Sequence, residues 1–129
     1  MKPAPRVLVV DDEAAVRTLA ERVLRDAGYE VVAVSDGPEA LRVVEQQCPF
    51  NLYVIDLVMP QMTGDELARQ LRRTEPDAKV LYFTGFIDQL FNTKSTLWEN
   101  EAFLEKPATI NGLPEAVSLL LYGHTQRPE

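Results

Sequence analysis

The chain has 129 residues, 46% of them apolar, enough for one compact domain that buries a real core without disulfide or metal staples. Its 20 acidic and 13 basic residues give a formal charge of −7, with no cluster of lysines or arginines, which argues against direct binding to nucleic acid or to an anionic membrane. A lone cysteine, Cys48, excludes an internal disulfide, and no Cys/His spacing suits zinc. No stretch nears the ~18 apolar residues of a membrane span, and Met1 to Pro5 lack the apolar run of a signal peptide, so the expected location is cytoplasmic.

Taken in order, the chain alternates between two periodicities. Val7 to Val10 form a buried-strand signal that stops at Asp11-Asp12-Glu13. Val16, Leu19, Ala20, Val23, Leu24 and Ala27 then recur at helical spacing, and Gly28 is a natural stop. Tyr29 to Val34 read as a second strand. Ser35 or Asp36 caps a second helix with Pro38 in its first turn, running to about Gln47. Tyr53, Val54 and Ile55 are β-formers without polar alternation, as suits a central parallel strand covered on both faces. That run ends at Asp56. Met59-Pro60 forbids an immediate helix, and Thr63 or Gly64 opens a third one, which ends before Pro76.

Lys79 to Phe83 predict a fourth strand ending at Thr84-Gly85. Residues 88–100 are poor helix formers, with Asn92, Thr93, Ser95 and Thr96 among them, so a loose helix is expected there. Ala102 to Leu104 make a short fifth strand before Lys106-Pro107, and residues 111–122 make a last helix. The pattern is (βα)5. It predicts an α/β fold, a doubly wound parallel five-stranded sheet with right-handed crossovers and helices on both faces.

In such a sheet, ligands bind outside the carboxyl ends of the strands. Asp11, Asp12, Asp56, Thr84 and Lys106 all fall at those ends. Singly, several have plainer readings: Asp12 as a helix cap, Thr84 as a turn residue, Lys106 as a solvated charge. Asp56 resists that treatment, because a carboxylate directly after a buried strand is costly to desolvate without cations or donors nearby. Three carboxylates in one pocket repel one another unless a cation compensates, and hard oxygen donors without His or Cys select Mg2+ or a similar ion. A phosphoryl group arriving there would find the ion, an ammonium and a hydroxyl, with Asp56 as nucleophile.

These residues resemble the receiver domain of two-component response regulators, over essentially the whole chain from Arg6 to Tyr122. The resemblance is carried by Asp11-Asp12, the segment from Asp56 to Leu67 with its Met59-Pro60 and Gly64, Thr84-Gly85, and Lys106-Pro107, all in the family's order. It implies a flavodoxin-like receiver fold in one domain of residues 1–129, with its core in about 6–122. It also implies that Asp56 accepts a phosphoryl group from a phosphohistidine on a sensor histidine kinase or histidine phosphotransfer protein. Asp12, Asp56 and the backbone carbonyl of Val58 would ligate Mg2+, with Asp11 helping through water. Thr84 and Lys106 would bind the phosphoryl group, Thr84 would move inward on phosphorylation, and Phe103 takes the switch-aromatic position. The Lys106-Pro107 bond is expected to be cis. Such a domain is no enzyme beyond catalysing its own phosphorylation and dephosphorylation.

Some residues depart from the common pattern. Ala108 follows Lys-Pro where many relatives are bulkier. Val58 and Phe86, each two residues past a site residue, are apolar and cannot orient an attacking water, so slow autodephosphorylation is expected. In the last helix Leu113, Val117, Leu120 and Leu121 have core spacing, but Leu119 and Tyr122 are apolar too. At ~100° per residue one helix cannot bury all of them, which points to a downstream protein target or a homodimer through this region. Ala14, Ala15 and Arg17 lie where a phosphodonor's helix would dock, and His124 reads as solvated. Only seven residues follow Tyr122, so no output domain is expected here. The chain reads as a free-standing receiver or as one excised from a hybrid kinase or longer regulator. A Mg2+-dependent phosphatase of the haloacid-dehalogenase type is the rival, but it needs a second acid where Val58 stands. A flavodoxin-like flavin binder would need a phosphate loop where Asp11-Asp12-Glu13 stands.

Overall fold

Five parallel strands lie in the order β2-β1-β3-β4-β5. The computed structural model describes residues 4–47, 49–85, 101–105 and 110–123. Within them the strands are β1 (Arg6–Val10), β2 (Glu30–Val34), β3 (Leu52–Ile55), β4 (Val80–Thr84) and β5 (Glu101–Glu105). The helices among the described residues are α1 (Ala14–Asp26), α2 (Gly37–Gln47), α3 (Gly64–Thr74) and α4 (Leu113–Tyr122), the last preceded by a 3-10 turn at Ile110–Gly112. The loose helix expected at 88–100, Cys48, Phe86, the Lys106-Pro107-Ala108 segment and His124 lie outside the described residues.

Alternation along the strands splits the core in two. Leu8, Val10, Tyr53, Ile55, Val80 and Tyr82 pack with Ala40 and Val44 of α2 and Leu67, Ala68 and Leu71 of α3. Val7, Val9, Leu52, Val54, Leu81 and Phe83 pack with Ala20 and Leu24 of α1 and Leu113 and Val117 of α4. Both faces of β1, β3 and β4 are therefore apolar, as their unbroken hydrophobic runs predict. The sweep of apolar residues around α4 has the expected result: Leu119 and Tyr122 are left 50% and 42% exposed.

Helix ends follow local chemistry. After α1, Gly28 adopts φ 101°, its N–H donates to Arg25 O and that of Tyr29 to Leu24 O, the paired closure that an αL glycine permits. Asp36, not Ser35, starts α2, accepting from Glu39 N at 2.8 Å, while Ser35 Oγ donates to Glu39 Oε2. Thr63 caps α3 by accepting from Glu66 N.

Two polar assemblies hold the amino edge of the sheet, and sequence periodicity signals neither. Arg6 donates from Nε to Glu30 Oε2 at 2.6 Å and from Nη1 to the carbonyls of Gln47 and Pro49, with its guanidinium 4.4 Å over the Phe50 ring. One side chain thus joins β1, β2 and the end of α2. Farther along, the buried Arg72 of α3 donates from Nη1 to Glu101 Oε2 of β5 at 2.7 Å and from Nη2 to Ala78 O.

The Tyr82 hydroxyl donates to the same Glu101 oxygen at 3.2 Å. Burial, and then the Glu101 carboxylate, push the Tyr82 phenol well above its ordinary value. The folded chain therefore keeps a proton that the unfolded chain begins to lose at about pH 10. Below that pH this group leaves stability level; above it stability falls as the pH rises. Tyr82→Phe is expected to flatten the alkaline limb of a profile of melting temperature against pH. Tyr29, raised chiefly by burial, would account for part of what remains. An unaltered limb in the variant would assign the effect elsewhere.

Candidate functional site

Two strand ends deliver the carboxylates to one place. Asp56 follows β3 directly, and its N–H donates to Val10 O at 2.9 Å, so the residue after β3 is stitched to the last residue of β1. Asp11 follows β1 in turn, with its N–H on Val34 O of β2. One carboxylate oxygen from each of Asp11, Asp12 and Asp56 lies within 4.8 Å of the others. Asp11 and Asp56 are buried, at 2% and 4% exposure, while Asp12 is open to solvent. A buried pair roofed by an exposed third carboxylate is a cup with one open side.

The plainer reading of Asp12 as a helix cap does not hold. Glu13 occupies the cap position of α1 and makes no side-chain cap bond; the Glu13 N–H goes to Asp11 Oδ1 at 2.9 Å. Arg17 lies beside the acidic residues, its Nη1 donating to Asp11 O at 2.8 Å, and Ala14 and Ala15 are exposed.

The loop from Leu57 to Thr63 is anchored and does not float. Leu57 and Met59 turn into the core with α2 and α3, while Val58 and Pro60 face out, which continues the alternation of β3 past its end. The loop closes through Gly64, whose N–H donates to Leu57 O at 2.8 Å, with Gln61 in the left-handed region at φ 71°. A Cβ on Gly64 would stand 2.4 Å from Asp56 O. The glycine is thus required by close approach of backbone to backbone directly beneath the acidic residue.

Thr84 ends β4 at the same carboxyl edge, one strand from Asp56, and is fully buried. Val58 is exposed beside the cluster. Phe103 pairs in register with Tyr82 on β5 and is 41% exposed. Lys106 lies outside the described residues. The structure therefore brings together the three aspartates, places Thr84 on their edge, and sets Phe103 one strand farther out.

The donor set is all oxygen and all anionic. Hard divalent cations are the ions that such a set holds, and Mg2+ fits it because that ion takes one or two protein carboxylates and keeps waters for an incoming phosphate. Softer metals that prefer nitrogen or sulfur have no donor of their kind in the cluster.

A doubly wound parallel sheet of this strand order is the flavodoxin-like α/β architecture, whose ligands bind at the carboxyl edge where these aspartates gather. The response regulator receiver domain model matches residues 7–118, and the chain belongs to that family, making it a phospho-accepting receiver of the two-component kind. Among its relatives is the response regulator receiver protein CpdR of Brucella abortus (strain 2308), 32% identical over 116 residues that cover 90% of this chain and 96% of the relative. The sensor kinase CckA of the same organism is 36% identical over 116 residues, 89% of this chain but 12% of that protein. The chain therefore spans a small part of one relative and nearly all of the other. Among solved structures, the response regulator TrrA of Thermotoga maritima, in complex with Mg2+-BeF, superposes with a TM-score of 0.78 at 31% identity, covering 91% of this chain and 99% of that one. No helix among the described residues is long and apolar enough to cross a membrane.

Proposed function

We propose that Asp56 is the phospho-acceptor of a single receiver domain spanning residues 1–129, which takes its phosphoryl group from a phosphohistidine on a sensor histidine kinase or histidine phosphotransfer protein. The observation that carries this reading is the convergence of Asp11, Asp12 and Asp56 at one strand edge. Of the three, Asp56 follows the central strand, with its N–H bonded to Val10 O of β1 and its carbonyl closely approached by Gly64. In the transfer, the bond from phosphorus to the donor's imidazole nitrogen breaks as one forms to an Asp56 carboxylate oxygen, and the leaving imidazole takes up a proton.

Asp12, Asp56 and the Val58 carbonyl would hold Mg2+, with Asp11 bound through water. When bound, the ion neutralises charge on the phosphoryl oxygens. Thr84 would donate its hydroxyl to the phosphoryl group and Lys106 would pair with it. Phe103, exposed before transfer, would pack inward once Thr84 is drawn toward the phosphate. The chain then catalyses only its own phosphorylation and dephosphorylation. Its output would be a downstream protein or a second copy meeting the exposed Leu119 and Tyr122 of the last helix.

The test is incubation with Mg2+ and beryllium fluoride or a small phosphodonor, read by intact mass and by tryptophan fluorescence. A Mg2+-dependent response is expected in the parent and none in Asp56→Asn. A parent that fails to respond, or a variant that responds equally, would defeat the assignment.

The exposed Val58 carries a kinetic expectation. An isopropyl group there gives an attacking water nothing to bond to, so Val58→Asn should shorten the lifetime of the acyl phosphate, by less than the roughly 100-fold or more that a full general acid or base supplies. Decay followed by phosphate release checks this; equal lifetimes would count against it.

A further inference from the structure

The turn that carries the acidic pair is fastened by several bonds. Asp11 N donates to Val34 O at 3.1 Å, Glu13 N to Asp11 Oδ1 at 2.9 Å, Arg17 N to Glu13 O at 2.9 Å, and Arg17 Nη1 to Asp11 O at 2.8 Å. The first three hold the backbone without any help from the arginine side chain. The fourth brings a half-buried cation to the residue whose carboxylate lies within 4.8 Å of two others. Covalent geometry keeps a residue's carbonyl oxygen within ~5 Å of its own carboxylate, so the guanidinium nitrogen sits about 8 Å or less from the Asp11 carboxylate and about 10 Å or less from the centre of the cluster.

From this geometry we infer that Arg17 is a built-in counter-charge to the acidic cluster. It steadies the three carboxylates before a divalent cation arrives, and it weakens that cation's binding by occupying the same field. The inference deepens the Mg2+ reading given above and rests on it. Two effects of Arg17 oppose each other, and their sizes decide the sign. Its hydrogen bond orders the turn, which favours the cation; but that turn is already fixed by two backbone bonds and by the Asp11 carboxylate on Glu13 N, none of which uses the arginine side chain, so the ordering contribution is small. Its charge repels the cation. A unit charge about 10 Å from a divalent ion alters affinity about fourfold at the dielectric constant of water. The figure is about 1.5-fold once physiological salt screens it. Repulsion is therefore the larger effect, and removing the charge tightens binding.

The experiment is calorimetric titration of the whole chain with MgCl2 alone, at ~0.01 M and at ~1 M ionic strength, for the parent and for Arg17→Met, Arg17→Gln and Arg17→Lys. Arg17→Met and Arg17→Gln are expected to bind Mg2+ about three- to tenfold more tightly at low salt, with the gain lost at high salt. Arg17→Lys should stay near the parent. Metal-free Arg17→Met and Arg17→Gln should melt below the parent and recover more on adding Mg2+. The Gln variant keeps a donor for the Asp11 carbonyl, so Gln like the parent and Met weaker would assign Arg17 to ordering and overturn the inference. Equal affinities throughout, or a gain that survives high salt, would overturn it as well. A parent that binds no Mg2+ sinks the cation reading and this inference together; a parent that binds normally beside unchanged variants sinks this inference alone.

Discussion

Gly64→Ala is expected to damage both stability and phosphoryl acceptance, although it adds a single methyl group. The new Cβ would lie 2.4 Å from Asp56 O and 2.9 Å from both the Leu57 Cα and the Ile55 Cγ2. Two of those three atoms are backbone, so no rotamer change relieves the overlap and the loop itself must shift. Overpacking of this kind costs about 1–3 kcal/mol, or roughly 3–15 °C in melting temperature for a domain of this size. The shift falls on Asp56 itself. A displacement of a reacting group by a fraction of an ångström to an ångström lowers rates by an order of magnitude or more, so Mg2+-dependent phosphorylation of the folded variant should fall accordingly. Gly112→Ala supplies the control: its Cβ meets nothing within 4 Å and its φ is −88°. That variant should stay within about 0.5 kcal/mol of the parent. If Gly64→Ala melts and reacts like Gly112→Ala, the close approach beneath Asp56 is not what the site depends on.

The second large effect concerns the opposite edge of the sheet. Glu101→Ala would leave the buried Arg72 guanidinium without its carboxylate, and removing one partner of a buried pair costs about 3–5 kcal/mol. Because the pair links α3 to β5, the loss should appear as a large fall in urea midpoint. Replacing both residues, Arg72→Met with Glu101→Leu, removes the stranded charge and should recover part of that loss, the remainder reflecting the bonds from Tyr82 and to the Ala78 carbonyl that go with the pair. Arg72→Lys should not rescue the pair, since an ammonium cannot aim at Glu101 and the Ala78 carbonyl as two guanidinium nitrogens do. Chemical denaturation of the parent, Arg72→Met, Glu101→Leu and their double variant measures the coupling. A Glu101→Ala variant within ~1 kcal/mol of the parent would show the pair to be structurally idle.

Much of this architecture is legible in the residues because local signals agree. The apolar runs at Val7–Val10 and Tyr53–Ile55 mark strands covered on both sides, and each stops at an aspartate. Gly28, Thr63 and Gly64 sit where helix ends and a close approach need them. Convergence of the three aspartates follows from topology alone, since all carboxyl ends of a parallel sheet share one edge. What escaped were polar side chains whose partners lie far along the chain.

Arg72 is the instructive case. Gly64, Leu67, Ala68 and Leu71 trace the buried stripe of α3, and Arg72 occupies its next position. A charge inside an apolar stripe is a signal that a counter-charge waits across the interface, but periodicity gives no means of finding Glu101 as its match. Arg6 is similar, its partners coming from β2 and from the end of α2. The bond from Arg17 to the Asp11 carbonyl is not legible either, because a helix face reads the same from sequence whether its arginine extends outward or folds back. The ambiguity at α2 had a smaller cause: Ser35 and Asp36 both bear capping oxygens, and only geometry selects Asp36.

The strand order β2-β1-β3-β4-β5 has a bearing on how the molecule is made. Each strand emerging from the ribosome after β2 can attach at a free margin of what already exists: β3 beside β1, β4 beside β3, β5 beside β4. No hydrogen-bonded pair has to be pried apart to admit a later strand, so the order of the sheet imposes no rearrangement on its assembly.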